Sequence, residues 1–120
     1  MYDHIGLRVA DMNASKRFYM AALAPLGIVA GSSGDGCAGF GPKDAPGLWL
    51  HACKGGTGSG AHVCFKAPSR AAVDRFHAEG LKAGGRDNGK PGLRADYSPK
   101  YYAAFLIDPD GNNVEAVCFS

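Results

Sequence analysis

His4 and His62 are the first residues of this 120-residue chain to suggest chemistry, because each opens a segment of the same pattern, H-I-G-L-R-V and H-V-C-F-K-A. Two imidazoles at equivalent points of two similar elements begin a site for a divalent transition metal: neutral imidazole suits Zn, Mn, Fe, Co or Ni, whereas Ca and Mg require more oxygen. A carboxylate would complete the set, and Glu115 lies in another alternating segment, from Asn112 to Phe119. His51, in L-W-L-H-A-C, is a third imidazole with three open roles: a fourth ligand, a proton carrier or a pocket-lining residue. His77 directly follows Phe76 in a helical pattern, where the polar side of the helix accounts for it, and it is left out of the set.

These side chains need elements that aim them together. Segment 4–27 aligns with segment 62–85 at a constant offset of 58 without a gap, pairing His4 with His62, Leu7 with Phe65, Arg17 with Arg75, Phe18 with Phe76 and Gly27 with Gly85. Such a match, in apolar and basic positions alike, reads as an internal duplication. In each copy apolar residues first alternate (Ile5, Leu7, Val9; Val63, Phe65, Ala67), as in a strand with one face on a core. They then recur every three to four residues (Ala14, Phe18, Ala21, Ala22; Ala72, Phe76, Leu81), the stripe of an amphipathic helix. Asp11 or Asn13 is placed to cap the first helix and Ser69 the second, with Gly27 and Gly85 just past their ends.

Further strand material follows each helix: residues 27–31, 36–41 and 47–53 in the first copy, and residues 101–107 and 112–119 in the second, after a glycine-rich stretch near 84–89. D-P-D-G at Asp108–Gly111 signals a tight turn, and residues 86–99 read as a long irregular stretch. The expected architecture is α+β, with two tandem βαβββ modules (1–53 and 61–120) joined by a Gly-rich linker (54–60) and forming curved mixed sheets around a concave pocket. Eight short strands and two main helices are expected, each helix covering the convex side of its own sheet.

Strand parity then assigns faces. With Ile5, Leu7 and Val9 toward the helices, His4, Gly6 and Arg8 face the concave side, as do His62, Cys64 and Lys66, Glu115, and Trp49, His51 and Cys53. Glu115 and His51 would be the proton carriers of such a site. Arg8 is placed to clamp a substrate carboxylate or phosphate, or to form an internal ion pair; Lys66 suits the ion pair better. Arg94, Tyr101 and Tyr102 belong to R-A-D-Y-S-P-K-Y-Y, which reads either as a substrate-contacting lid or as a loop packed on the pocket rim.

Composition narrows the partners. Thirteen basic against eleven acidic residues, with no dense basic run, give no nucleic-acid footprint. The apolar stretch from Met20 to Ala30 is interrupted by Pro25 and Gly27 and is far shorter than the roughly 20 residues of a membrane span. Asp3 and His4 stand where a secretory signal would be basic, so a cytoplasmic location is expected. The four cysteines form no C-x-x-C pair and are expected to be reduced.

The paired openings, the S-K-R-F-Y that follows the first, and the closing D-P-D-G-N-N-V-E-A-V together resemble the vicinal oxygen chelate superfamily, which includes glyoxalase I, fosfomycin-resistance transferases, bleomycin-resistance proteins and extradiol dioxygenases. The resemblance covers nearly the whole chain and implies metal ligands at His4, His62 and Glu115, with a further ligand position at or near His51. It also implies a small-molecule substrate bound through oxygen, and a homodimer that completes its barrels across a two-fold axis. Glyoxalase I has a glutamate in the last strand of its first module; L-W-L-H-A-C has no acid, so ordinary lactoylglutathione lyase activity is not expected. The other reading is a metal-free module that binds an aromatic or cationic small molecule against Trp49 and the tyrosines.

Overall fold

The computed structural model describes residues 1–54 and 60–120, so most of the expected linker lies outside the described residues. The first half of the chain forms β1 (Ile5–Val9), α1 (Met12–Leu23), a 3-10 turn (Ala24–Leu26), β2 (Val29–Gly34), β3 (Cys37–Gly41) and β4 (Leu48–Ala52). The second half forms β5 (His62–Lys66), α2 (Arg70–Lys82), β6 (Arg86–Leu93), β7 (Tyr102–Ile107) and β8 (Asn113–Cys118). Two four-stranded mixed sheets result, ordered β1-β4-β3-β2 and β5-β8-β7-β6. In both, the first strand pairs in parallel with the last and the other pairings are antiparallel. The fold class is α+β with a repeated module, and neither sheet closes on itself. No helix among the described residues is long and apolar enough to cross a membrane.

Capping follows from the side chains that precede each helix. Asp11 Oδ1 accepts the Ala14 N–H at 3.1 Å and Ser69 Oγ accepts that of Ala72 at 3.1 Å, each satisfying an N-terminal donor that the helix itself cannot. Gly27 takes φ +82°, as expected, but in the second copy the left-handed residue is Gly84 at +102°, one position earlier than Gly85. Gly85 answers a different need, because a Cβ there would collide with the Phe18 ring.

The buried helical stripes differ from the expected ones. Ser15, Phe18, Tyr19, Ala22 and Leu23 are buried on α1, and Ala72, Val73, Phe76, His77 and Gly80 on α2, while Leu81 is exposed. Gly80 lets α2 approach Ala22 and Leu106 closely, and the two halves share one apolar core. His77 is therefore buried rather than on a polar face; its Nε2 pairs with Asp87 Oδ1 at 2.8 Å.

Two further departures bear on the site. Residues 86–93, expected to be irregular, form β6, whose pairing with β7 shifts register twice around Gly89. Glycines and Pro91 erase the alternation that would mark this strand, but its backbone groups still find partners in β7. The D-P-D-G turn does more than reverse the chain. Asp108, 2% exposed, accepts the Tyr19 hydroxyl at 2.5 Å, and Asp110 accepts the Ala10 N–H at 2.9 Å and the Ser15 hydroxyl at 3.1 Å. This turn of the second module thus holds the first module's helix.

Candidate functional site

The site is built on the face of the second sheet turned away from α2. β5 pairs with β8 so that Cys64 stands opposite Glu115, and β7 pairs with β8 so that Phe105 also stands opposite Glu115. His62, two residues before Cys64, shares that face and brings Nε2 to 2.8 Å from Glu115 Oε1. The other carboxylate oxygen, Oε2, accepts the Tyr101 hydroxyl at 2.5 Å. Glu115 is only 2% exposed, so its carboxyl group is shut from water and held at both oxygens, while half of the His62 side chain stays open to solvent.

Tyr101 lies just ahead of β7 and is braced edge-on between Tyr97, at 5.0 Å between ring centroids, and Phe119, at 5.3 Å. Desolvation raises its phenol above the ordinary range, and the bond to Glu115 adds to the effect, so it remains a proton donor through neutral pH. Cys64 is pushed up to about 12, first by desolvation and then by the Glu115 carboxylate, although part of the residue reaches solvent. Its thiolate population near pH 7 is negligible, which leaves Cys64 a weak hydrogen-bonding neighbour rather than a nucleophile.

The remaining candidates of the first sheet sit on its matching face. The His51 ring lies over Gly6, where a Cβ would come within 3.2 Å of it, and the Trp49 ring lies over Gly39, where a Cβ would come within 2.9 Å. Arg8 stands opposite His51 in the β1–β4 register and is exposed. His4 precedes β1 rather than belonging to it, and its Nδ1 pairs with the exposed Asp3 at 2.7 Å. Within one chain, then, His62 and Glu115 meet, but His4 and His51 do not join them: no three His, Cys, Asp or Glu side chains gather in a metal-binding arrangement among the described residues. Parity placed His51, His62 and Glu115 on the expected faces, but each sheet carries its own set.

Two further expectations change, those for Tyr102 and Lys66. Tyr102 points to the helix side, donating to Asp74 Oδ1 at 2.6 Å with Arg70 over its ring, because its register partner Cys118 belongs to the core face. It is a packing residue, outside the site. Arg94 does lie on the site face, over the Phe105 ring at 5.4 Å. Lys66 makes no ion pair with Glu115 among the described residues, because His62 and Tyr101 already hold that carboxylate. A surface groove of about 490 Å³ between Gly31, Gly41, Asp44 and Pro46 belongs to the first sheet and contains none of these groups.

The donor chemistry can be tested against a metal. Two donors each about 2.1 Å from one ion and at right angles stand roughly 3 Å apart. His62 Nε2 and Glu115 Oε1, at 2.8 Å, fit one edge of such a polyhedron. The Tyr101 bond to Oε2 leaves Oε1 facing His62, as a carboxylate binding through one oxygen requires.

The fold, a βαβββ module used twice, is that of a known group. The family model for the glyoxalase/bleomycin resistance protein/dioxygenase superfamily matches residues 2–116, and the chain belongs to that superfamily. It is similar to the crystal structure of a glyoxalase/bleomycin resistance protein from Albidiferax ferrireducens, with 32% identity over 98% of both chains and a TM-score of 0.83. A glyoxalase-related enzyme from Fulvimarina pelagi is 16% identical over 98% of this chain and 87% of that one, with a TM-score of 0.74. A glyoxalase/bleomycin resistance protein/dioxygenase family enzyme from Burkholderia phytofirmans is 15% identical over 98% of both, with a TM-score of 0.72. These last two likenesses concern the fold alone. No curated protein matches the chain by sequence.

Proposed function

We propose that this protein is a homodimeric metalloprotein that binds a small oxygen-bearing substrate at a divalent transition metal held by His62 and Glu115 of one copy and His4 of a second. The observation that carries this reading is the 2.8 Å approach of His62 Nε2 to Glu115 Oε1, on a carboxylate whose other oxygen is already fixed by Tyr101. The reading calls for a second copy because, among the described residues, one chain brings together only two of the three donors, while its His4 is exposed and its first-sheet face carries Arg8 and His51 in the open. When bound, the ion would polarise a substrate oxygen and stabilise negative charge developing on it.

The chain's own residues do the rest. Tyr101 keeps the carboxylate from rotating, Glu115 and the opposed His51 are the groups that hold or move a proton beside the substrate, and Trp49 walls the pocket. β4, Leu48–Ala52, carries no acid, so the reaction is a glyoxalase-like or dioxygenase-like one other than ordinary lactoylglutathione lyase chemistry.

The metal-free reading has one observation of its own: His62 and Glu115 satisfy each other, as do His4 and Asp3. Co²⁺ titration followed by visible absorption separates the two. The metal reading requires saturable binding that His62→Ala and Glu115→Ala abolish, whereas a metal-free binder shows no such binding and instead loses ligand affinity on Trp49→Ala.

A further inference from the structure

Arg94 is fixed by the backbone and the aromatic ring beneath it. Its Nη1 donates to the Gly92 carbonyl at 2.8 Å and its Nη2 to the Lys90 carbonyl at 2.7 Å, while the guanidinium lies over the Phe105 ring at 5.4 Å. Phe105 is the register partner of Glu115 and its ring stands 6.3 Å from that of His62, so the cation is fixed on the same face as the His62–Glu115 pair.

The backbone beneath it is cut to fit. A Cβ at Gly89 would come 3.2 Å from Nη2, and one at Gly92 would come 3.3 Å from Nη1. Both register shifts of β6 occur in this stretch, bringing the Lys90 and Gly92 carbonyls onto the guanidinium. A guanidinium carries five N–H donors, and two are used here. Among the described residues no carboxylate lies within ion-pair distance of Arg94, although the residue is half-buried. Arg70 makes a useful contrast: it stacks on Tyr102 and binds the Ser120 carbonyl, but on the helix side, away from the site.

A planar cation preset by two carbonyls and an aromatic face, with donors left over and no acid to neutralise it, matches a planar or tetrahedral oxyanion. We infer that Arg94 is the anion-recognition residue of this site, and that the substrate class is a small molecule bearing a carboxylate or phosphoryl anion that rests on Arg94 while its reacting oxygen lies toward Glu115. The inference rests on the reading that the Glu115 face receives substrate, and it does not require the metal.

The test uses the metal-free full chain, titrated separately with inorganic phosphate and with benzoate and followed by amide NMR. Saturable shifts at Gly89, Gly92 and Phe105 are expected with at least one of the two anions, and the tighter one identifies the charged group. Arg94→Gln should weaken binding at least about tenfold, and Gly92→Ala, which keeps the charge but crowds Nη1 at 3.3 Å, should weaken it by a smaller factor. Gly92→Ala also serves if the Arg94 variant fails to fold. Binding untouched by both substitutions, or no saturable binding of either anion, overturns the inference. Parallel Co²⁺ titration keeps the two readings apart: anion binding through Arg94 without Co²⁺ binding refutes the metal alone, and Co²⁺ binding with no Arg94-dependent anion site refutes this inference alone.

Discussion

Tyr101 donates its hydroxyl to Glu115 Oε2 at 2.5 Å, the carboxylate oxygen that His62 does not touch. The carboxyl group therefore cannot turn without breaking a part-buried hydrogen bond, and Oε1 is left aimed with the imidazole. Removing a group that orients a metal ligand commonly costs ten- to hundredfold in affinity, so Tyr101→Phe should weaken Co²⁺ binding by about that factor while leaving the fold intact by circular dichroism. Unchanged affinity would show that the phenol does not orient the carboxylate.

Cys64 provides a pH readout of the same cluster. Its thiol, pushed up to about 12 by desolvation and by Glu115, should react slowly with iodoacetamide at pH 8, with a rate still rising past pH 10. Glu115→Gln should move that profile downward, as peptide mapping by mass spectrometry would show. The sign for stability follows: above the ordinary thiol pKa the unfolded chain releases a proton that the folded chain keeps. This contribution is thus fully present below that value and is lost as pH rises toward about 12. A reactivity midpoint at the ordinary thiol value would contradict the placement of Cys64 beside a carboxylate.

The turn that joins the two halves should be costly to lose. Asp108 also accepts the Asp110 and Asn112 N–H groups at 2.9 and 2.8 Å, so Asp108→Ala strands several donors as well as the Tyr19 hydroxyl. A loss of about 3 kcal/mol in chemical denaturation is expected, against about 1 kcal/mol for the more exposed Asp110→Ala. Equal, small effects would mean that the turn does not hold the modules together.

How far these features could be read from the sequence depends on which distances local periodicity controls. Alternation placed His62, Cys64 and Glu115 on one face and Trp49, His51 and Arg8 on the corresponding face of the other sheet, because the side chains of a strand have only two directions. It said nothing about where one sheet stands relative to the other, which is why His4 was expected beside His62 and is found beside Asp3. Tyr101 was legible as a phenol near the rim but not as the partner of Glu115, since it precedes β7 in a segment without a period. Arg94 was legible as a candidate contact, but its cradle was hidden because glycines and a proline broke the pattern of β6. The D-P-D-G motif was readable as a turn, and its hold on Tyr19 was not, because that contact joins residues 89 positions apart.

The proposed sharing of a site between copies is tested most directly by complementation between two altered copies. His4→Ala and Glu115→Ala proteins, each unable to bind Co²⁺ tightly alone, are unfolded together, refolded as an equimolar mixture and titrated with Co²⁺. If His4 of one copy completes the His62–Glu115 pair of another, each mixed dimer holds one intact site, and random pairing restores about one ion for every four chains. A mixture that binds no more than its separate components would contradict a site shared between copies.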